Sequence, residues 1–169
     1  FYSPHVAPEL ILSRTGSVSA DQYAMAMTLG HVLSAGEICK ASLPQEVTER
    51  AWKARPDLGT LGPHVPERLR KVIKRGTAFD PANRFVDVEG FKQALDRATP
   101  AVSFTSEEGD RLVSSDGTVS ISWIEKQGAY VVEVRVGGRR KAAHGASGLD
   151  LRDARRHVGR LVTKYAYQT

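Results

Sequence analysis

The hydrophobic period of this 169-residue chain changes at Thr99-Pro100 and changes back at Asp150. Before the first of these points apolar residues recur every three or four positions, as on one side of an α-helix. Between those points they alternate, as on one face of a β-strand, and after Asp150 the helical spacing returns. A chain built this way must bury helix stripes first and a sheet face second, which predicts an α+β protein. The length suits one ordinary domain or two small ones.

Turn residues divide the first hundred positions into short helices. Ser19 is placed to cap a run containing Tyr23, Ala26, Met27, Leu29, Gly30, Val32 and Leu33, with Gly36 as its stop. That run is apolar on nearly every face, which predicts a helix buried on all sides. Pro44 begins a second helix carrying Val47, Ala51 and Trp52. Pro66 begins a third, with Leu69, Val72 and Ile73 on one side and Gly76 closing it. A fourth runs from about Val86 to Ala98 and buries Val88, Phe91, Ala94 and Leu95.

Residues 101–116, polar and containing Glu107, Glu108 and Asp110, read as a linker. Val119, Ile121 and Trp123 then alternate with Ser120, Ser122 and Ile124 in a strand. Lys126-Gln127-Gly128 turns the chain into a second strand, Tyr130 to Val136. Gly137-Gly138 is a hairpin signal, and Arg139-Arg140-Lys141 begins a third strand. After a loop from Gly145 to Gly148, Asp150 caps a helix with Leu151, Ala154, Val158, Leu161 and Val162 on one face. Its other face carries Arg152, Arg155, Arg156, Arg160 and Lys164. The expected organisation is a helical domain over 1–100, the linker, and a small β-β-β-α module over 117–169: a three-stranded antiparallel sheet with one helix.

Composition removes several classes of function. With 41% hydrophobic and 25% charged residues the chain is expected to fold. No stretch approaches the roughly 18 apolar residues of a spanning helix, so no membrane partner is expected. Residues 1–20 lack the pattern of a secretory leader. A single cysteine, Cys39, excludes an internal disulfide and a cysteine zinc site, and fits a reducing, cytoplasmic setting. His5, His31, His64, His144 and His157 show no ligand spacing, so no metal site is expected. The net charge is +5, and from Gly117 onward ten Lys and Arg face four Asp and Glu. Such a local excess marks a polyanion-binding surface or simply aids solubility. A first residue other than Met, Phe1, reads as a piece of something longer.

Four motifs fall in order along the helical half: Ala7-Pro8-Glu9; Ser19-Ala20-Asp21 leading into an apolar run from Tyr23 to Leu29; Ser34-Ala35-Gly36-Glu37; and Asp80-Pro81-Ala82-Asn83-Arg84-Phe85. Together, over roughly residues 1–98, they resemble the C-terminal lobe of Ser/Thr protein kinases from the Ala-Pro-Glu motif onward. The resemblance implies a helical lobe in which Glu9 and Arg84 form an ion pair tying the activation segment to the end of the lobe. It implies that Asp21, at the start of the central helix, accepts backbone N–H bonds from the catalytic loop. The Gly-rich loop, lysine, catalytic-loop aspartate and metal-binding aspartate of that family precede Ala-Pro-Glu. No catalytic residue is therefore assigned to this chain, which is expected to be inactive alone and to hold no cofactor. ATP and magnesium are implied only for a complete kinase. The implied partners are a protein substrate or the missing N-terminal half. Phe1-Tyr2-Ser3-Pro4-His5 departs from the family's Gly-Thr-x-x-Tyr, with His5 in the tyrosine's place, which leaves a pseudokinase-type scaffold as the alternative. On the residues alone, Glu9, Asp21 and Arg84 also read as surface or capping charges.

The tail has its own resemblance. Trp123, the Gly-x-Tyr-x-Val run at Gly128–Val132, the basic stretch from Gly137 to Lys141 and the alanine-containing helix are similar to the sheet-plus-helix DNA-binding modules of phage-type integrase arms and plant ethylene-response factors. That likeness implies nucleic acid as a partner, contacted by Arg135, Arg139, Arg140 and Lys141, with Trp123 packing or touching sugar. A double-stranded-RNA-binding domain is a second likeness; its Lys-Lys helix start is replaced here by Leu151-Arg152. The same tail also reads as a protein-binding appendage with a solvated arginine face. The whole chain then reads alternatively as a nucleic-acid-binding regulator without kinase activity.

Overall fold

Ser17, in extended backbone, receives the N–H of Ala20 on its hydroxyl at 3.2 Å and starts a 16-residue helix. A helix leaves its first N–H groups without intrahelical partners, and this side chain takes one of them. The cap is therefore Ser17, two residues earlier than the sequence pattern suggests. The computed structural model that shows this describes residues 5–14, 16–39, 58, 61–107 and 110–168. It divides into two compact units, Phe1–Gly62 with Arg68–Thr99, and Pro63–Glu67 with Pro100–Thr169. The protein is α+β.

The first unit is helical. Among the described residues its helices are α1 (Pro8–Ser13), α2 (Val18–Leu33), α3 (Glu67–Gly76, all but its first residue in this unit) and α4 (Val88–Ala98). Short 3₁₀ turns occupy Glu37–Cys39 and Pro81–Asn83. At the end of α2 the chain reverses through Ala35 and Gly36, both at positive φ, and the Gly36 N–H bonds to the His31 carbonyl at 2.8 Å. The proposed helix from Pro44 lies outside the described residues.

Close approach of two backbones holds the helices together. A Cβ built on Gly76 would lie 2.5 Å from the Cβ of Ala26 and 3.4 Å from Phe91, so α3 meets α2 where neither side chain exceeds a methyl. Phe91 in turn meets Phe85 edge to face, with ring centroids 5.3 Å apart. Ala7, Ala20, Tyr23 and Met27 form a second buried cluster, with Leu10 packed on it. The expectation that α2 is buried all round is overturned. Val18, Met25 and Val32 are 58%, 39% and 69% exposed. Periodicity counts apolar faces but not the neighbours available to cover them. For the same reason Val86 and Val88 stand exposed where burial of Val88 was expected.

The second unit is a six-stranded sheet backed by one helix, rather than three strands and a helix. Its strands are β1 (Phe104–Glu107), β2 (Arg111–Ser114), β3 (Val119–Lys126), β4 (Ala129–Val136), β5 (Arg139–Arg140) and β6 (Ala146–Leu149), followed by α5 (Leu151–Ala166). The order is β1-β2-β3-β4-β5, with β6 sharing the far edge of β4, and each of these pairings is antiparallel. β1 and β2 lie in residues 101–116, read from sequence as a linker, and the 146–148 loop is part of β6. These strands are four residues long, too short for alternation to stand out among serines, threonines and charges. The β3–β4 and β4–β5 hairpins each turn through two positive-φ residues, Gln127-Gly128 and Gly137-Gly138, which match the twist of the strands.

Cross-strand register decides the faces. Leu112, Ile121 and Val134 stand opposite one another, as do Trp123 and Val132, and all are buried against Ala154, Val158, Leu161, Val162 and Ala166 of α5. Trp123 is thus a core residue, 4% exposed, and does not face a ligand. Leu151, expected on the buried helix face, is 39% exposed at the first turn. The exposed Arg152, Arg155, Arg156, Arg160 and Lys164 occupy the outer face of the helix.

The Gly76–Ala26 approach leaves no room for another carbon. Gly76→Ala is expected to lower stability by about 1–3 kcal/mol, the usual cost of overpacking, even though alanine is the better helix former. Urea denaturation followed by circular dichroism would show this as a lower midpoint at unchanged slope.

Candidate functional site

Two groups of residues hold the charged and polar side chains that sequence reasoning singled out, one in each unit.

In the helical unit the 3₁₀ turn Pro81–Asn83 is set up by Asp80. Its carboxylate accepts from the Ala82 N–H at 2.9 Å and from the Asn83 amide at 3.3 Å. The turn delivers Arg84 inward, where its side chain is completely buried. A guanidinium has five N–H groups in one plane, and each finds an acceptor. Nε donates to the Ala78 carbonyl at 2.8 Å. Nη1 donates to Glu9 Oε1 at 2.7 Å and to the Ser19 carbonyl at 2.8 Å. Nη2 donates to Glu9 Oε2 at 2.8 Å and to the Phe79 carbonyl at 3.2 Å. Glu9, 18% exposed, thus receives a two-pronged bond from a residue 75 positions away. The guanidinium also lies 5.0 Å from the Tyr23 ring centroid. Arg75 closes the outside of the turn, donating to the Arg84 carbonyl at 3.3 Å and stacking 4.4 Å over Phe85.

The other motif residues surround this pair. Ala7 is fully buried and precedes α1; Pro8, also buried, fills the first helical position, where a missing N–H costs nothing. Glu9 follows in the first turn. Asp21 is in the first turn of α2, where a carboxylate complements the helix dipole, but it points to solvent and does not join the Arg84 cluster. Together with Val18, Met25, Thr28 and Val32 it lines the exposed side of α2. On the inner side of the same helix the Gln22 amide is completely buried, and both of its polar atoms lack a hydrogen-bond partner. The His5 ring lies 5.8 Å from that of His31; partial burial, and then the neighbouring imidazole, hold His5 below its ordinary pKa.

In the sheet unit the strands carry charge on the face away from α5. One row across it is Glu107, Arg111, Ser122 and Glu133; the next is Thr105, Val113, Ser120, Arg135 and Arg140. Arg111, Ser120, Ser122, Glu133 and Arg135 line an open recess of about 300 Å³. The small serines of β3 form its floor and long charged side chains form its rim. Glu133 lies 3.5 Å from Arg140 across β4 and β5, and Arg111 lies 3.7 Å from Glu107. The four basic residues named from sequence separate here. Arg135 and Arg140 share the open face. Arg139 stands opposite Val136, on the side of the sheet that α5 covers, although it is itself exposed at the edge. Lys141 follows β5, its N–H bonded to the Val134 carbonyl. Arg111 was missed, because its strand was read as linker. Arg111-Leu112-Val113-Ser114 carries no clear alternation that would have marked it.

Among the described residues no group of three metal-ligating side chains occurs, and no helix is long and apolar enough to cross a membrane. Compared with known proteins, the chain matches no protein-family model and no curated sequence.

Removing one partner of a buried ion pair strands the other. Arg84→Ala is expected to cost about 3–5 kcal/mol. Arg155→Ala, on the outer face of α5, is expected to stay within about 0.5 kcal/mol. Lysine, with three donors at a single point, should restore only a minor part of the loss at position 84. Comparative chemical denaturation of the three variants measures all of these.

Proposed function

We propose that the helical unit is the substrate-docking part of a Ser/Thr protein kinase-like protein, and that the sheet unit is a binding module attached to it. The observation that carries this reading is the pairing of Glu9, directly after Ala7-Pro8, with Arg84 of the Asp-Pro-x-x-Arg turn. In the family that this half of the sequence resembles, those two motif positions form the tie between activation segment and lobe. The open side of α2 adds support. Val18, Met25 and Val32 recur every seventh residue, with Asp21 among them. An apolar stripe interrupted by an acceptor-only carboxylate suits a segment that brings apolar side chains together with backbone N–H donors. A catalytic loop is such a segment.

The residues that hold nucleotide and magnesium in that family are not in these 169 positions. ATP and magnesium are implied only for a complete kinase of that kind, and no step of phosphoryl transfer is assigned to this chain. Its own part is to brace and to dock. His5, in place of the family's tyrosine, favours one variant of the reading, a pseudokinase-type scaffold with the same docking surface.

Reconstitution tests the proposal. The chain is mixed with the polypeptide encoded immediately upstream, and both association and transfer of phosphate from ATP to a protein acceptor are measured. Neither part should transfer phosphate alone, and the mixture should. Burying an apolar side chain of this size is worth roughly 1.5–3 kcal/mol. Met25→Asp should therefore weaken association by about a hundredfold. Association without transfer would select the scaffold. Indifference to Met25→Asp, or no association, would overturn the docking role.

For the sheet unit the reading is a duplex nucleic-acid partner, supported by Arg111, Arg135 and Arg140 on one open face. Such binding should weaken steeply as salt rises, because each neutralised phosphate releases counterions.

A further inference from the structure

Resting on that nucleic-acid reading, we propose that the β1–β2 hairpin extends the sheet's binding face and that Arg111, with the Ser120 and Ser122 hydroxyls, seats a backbone phosphate of B-form duplex DNA. Arg111 lies outside the basic stretch that ends the sequence, and only the pairing of β2 with β3 brings it beside Ser122. Neighbouring strands are about 4.8 Å apart, which puts β2 roughly 10 Å from β4. The major groove of B-form DNA is about 12 Å wide. With β4 and its Arg135 near the middle of that groove, β2 falls beyond its half-width, over a phosphate ridge. Arg111 then contacts backbone and not base edges, so it positions the duplex without reading it.

The recess has the chemistry for this. Two serine hydroxyls on the floor can donate, and the arginines on opposite rims, Arg111 and Arg135, supply positive charge. Arg111 is accessible: its side chain is 56% exposed, and its contact with the exposed Glu107 at 3.7 Å is of the weak, solvent-screened kind. Glu133, the one acidic residue in the lining, opposes an anion and is partly offset by Arg140 at 3.5 Å. The deep, narrow major groove of A-form RNA would not admit these strands, so a docking with β4 in the major groove is one for B-form DNA.

Fluorescence anisotropy of the full chain with a labelled 20-base-pair DNA duplex, over a salt series, tests the assignment. Arg111→Ala should weaken binding five- to tenfold on every duplex sequence tried, and should reduce the salt slope by about one. Glu133→Gln should tighten binding a few-fold, while Arg155→Ala, on the outer face of α5, should leave it unchanged. If the unaltered chain binds no duplex, the nucleic-acid reading itself fails. If it binds but Arg111→Ala leaves affinity and slope unchanged, the phosphate seat alone is overturned. Equal or tighter binding of an RNA duplex of the same sequence overturns the commitment to B-form DNA. Thermal unfolding of each variant separates a lost contact from a lost fold.

Discussion

A guanidinium with no access to water is stable only if every N–H is matched, and the helical unit is organised around meeting that condition for Arg84. Its five donors reach the Glu9 carboxylate and the carbonyls of Ser19, Ala78 and Phe79. Those acceptors come from three separate pieces of chain: the start of α1, the start of α2 and the loop before the 3₁₀ turn. Each piece is short and would gain little order by itself. An unmatched buried charge is costly, so the pair favours ordering the three together. Asp80 and Arg75 serve the same end, one shaping the turn and the other closing it.

The sheet unit solves a different problem. Alternation along β3 and β4 sends valine, isoleucine and tryptophan toward α5, and serine, glutamate and arginine, with Ile124 and Val131, away from it. The apolar side is covered and the polar side is not. A covered face sets stability, whereas an uncovered face lined by arginine is where a partner of opposite charge would act. The two extra strands before β3 matter because they widen that uncovered face and bring a cation to it.

Each unit thus pairs a closed interior with a surface left open: an apolar stripe with one carboxylate on α2, and a sheet face with three arginines and two glutamates. The first suits another protein segment and the second a polyanion. The proposed docking and DNA-binding roles draw on these surfaces and leave the buried clusters to hold the shape.

Much of the architecture was legible in the residues. The change of period at Thr99-Pro100, the Gly137-Gly138 hairpin, the Asp150 cap and the apolar face of α5 are local patterns, fixed by backbone sterics and side-chain spacing within a few positions. Local pattern could not reveal that β1 and β2 are strands, since four-residue segments of mixed polarity take their identity from the strand beside them. Nor could it show that one side of α2 is left uncovered, or that Arg111 joins Arg135 and Arg140; that Arg139 faces away from Arg140 follows already from the alternation of neighbours along a strand. The amino-acid order alone determined which segments would be helix or long strand, and where the chain would turn. Which charges meet, and which faces stay open, was decided by tertiary structure, because those outcomes depend on neighbours distant in the chain that no short-range period encodes.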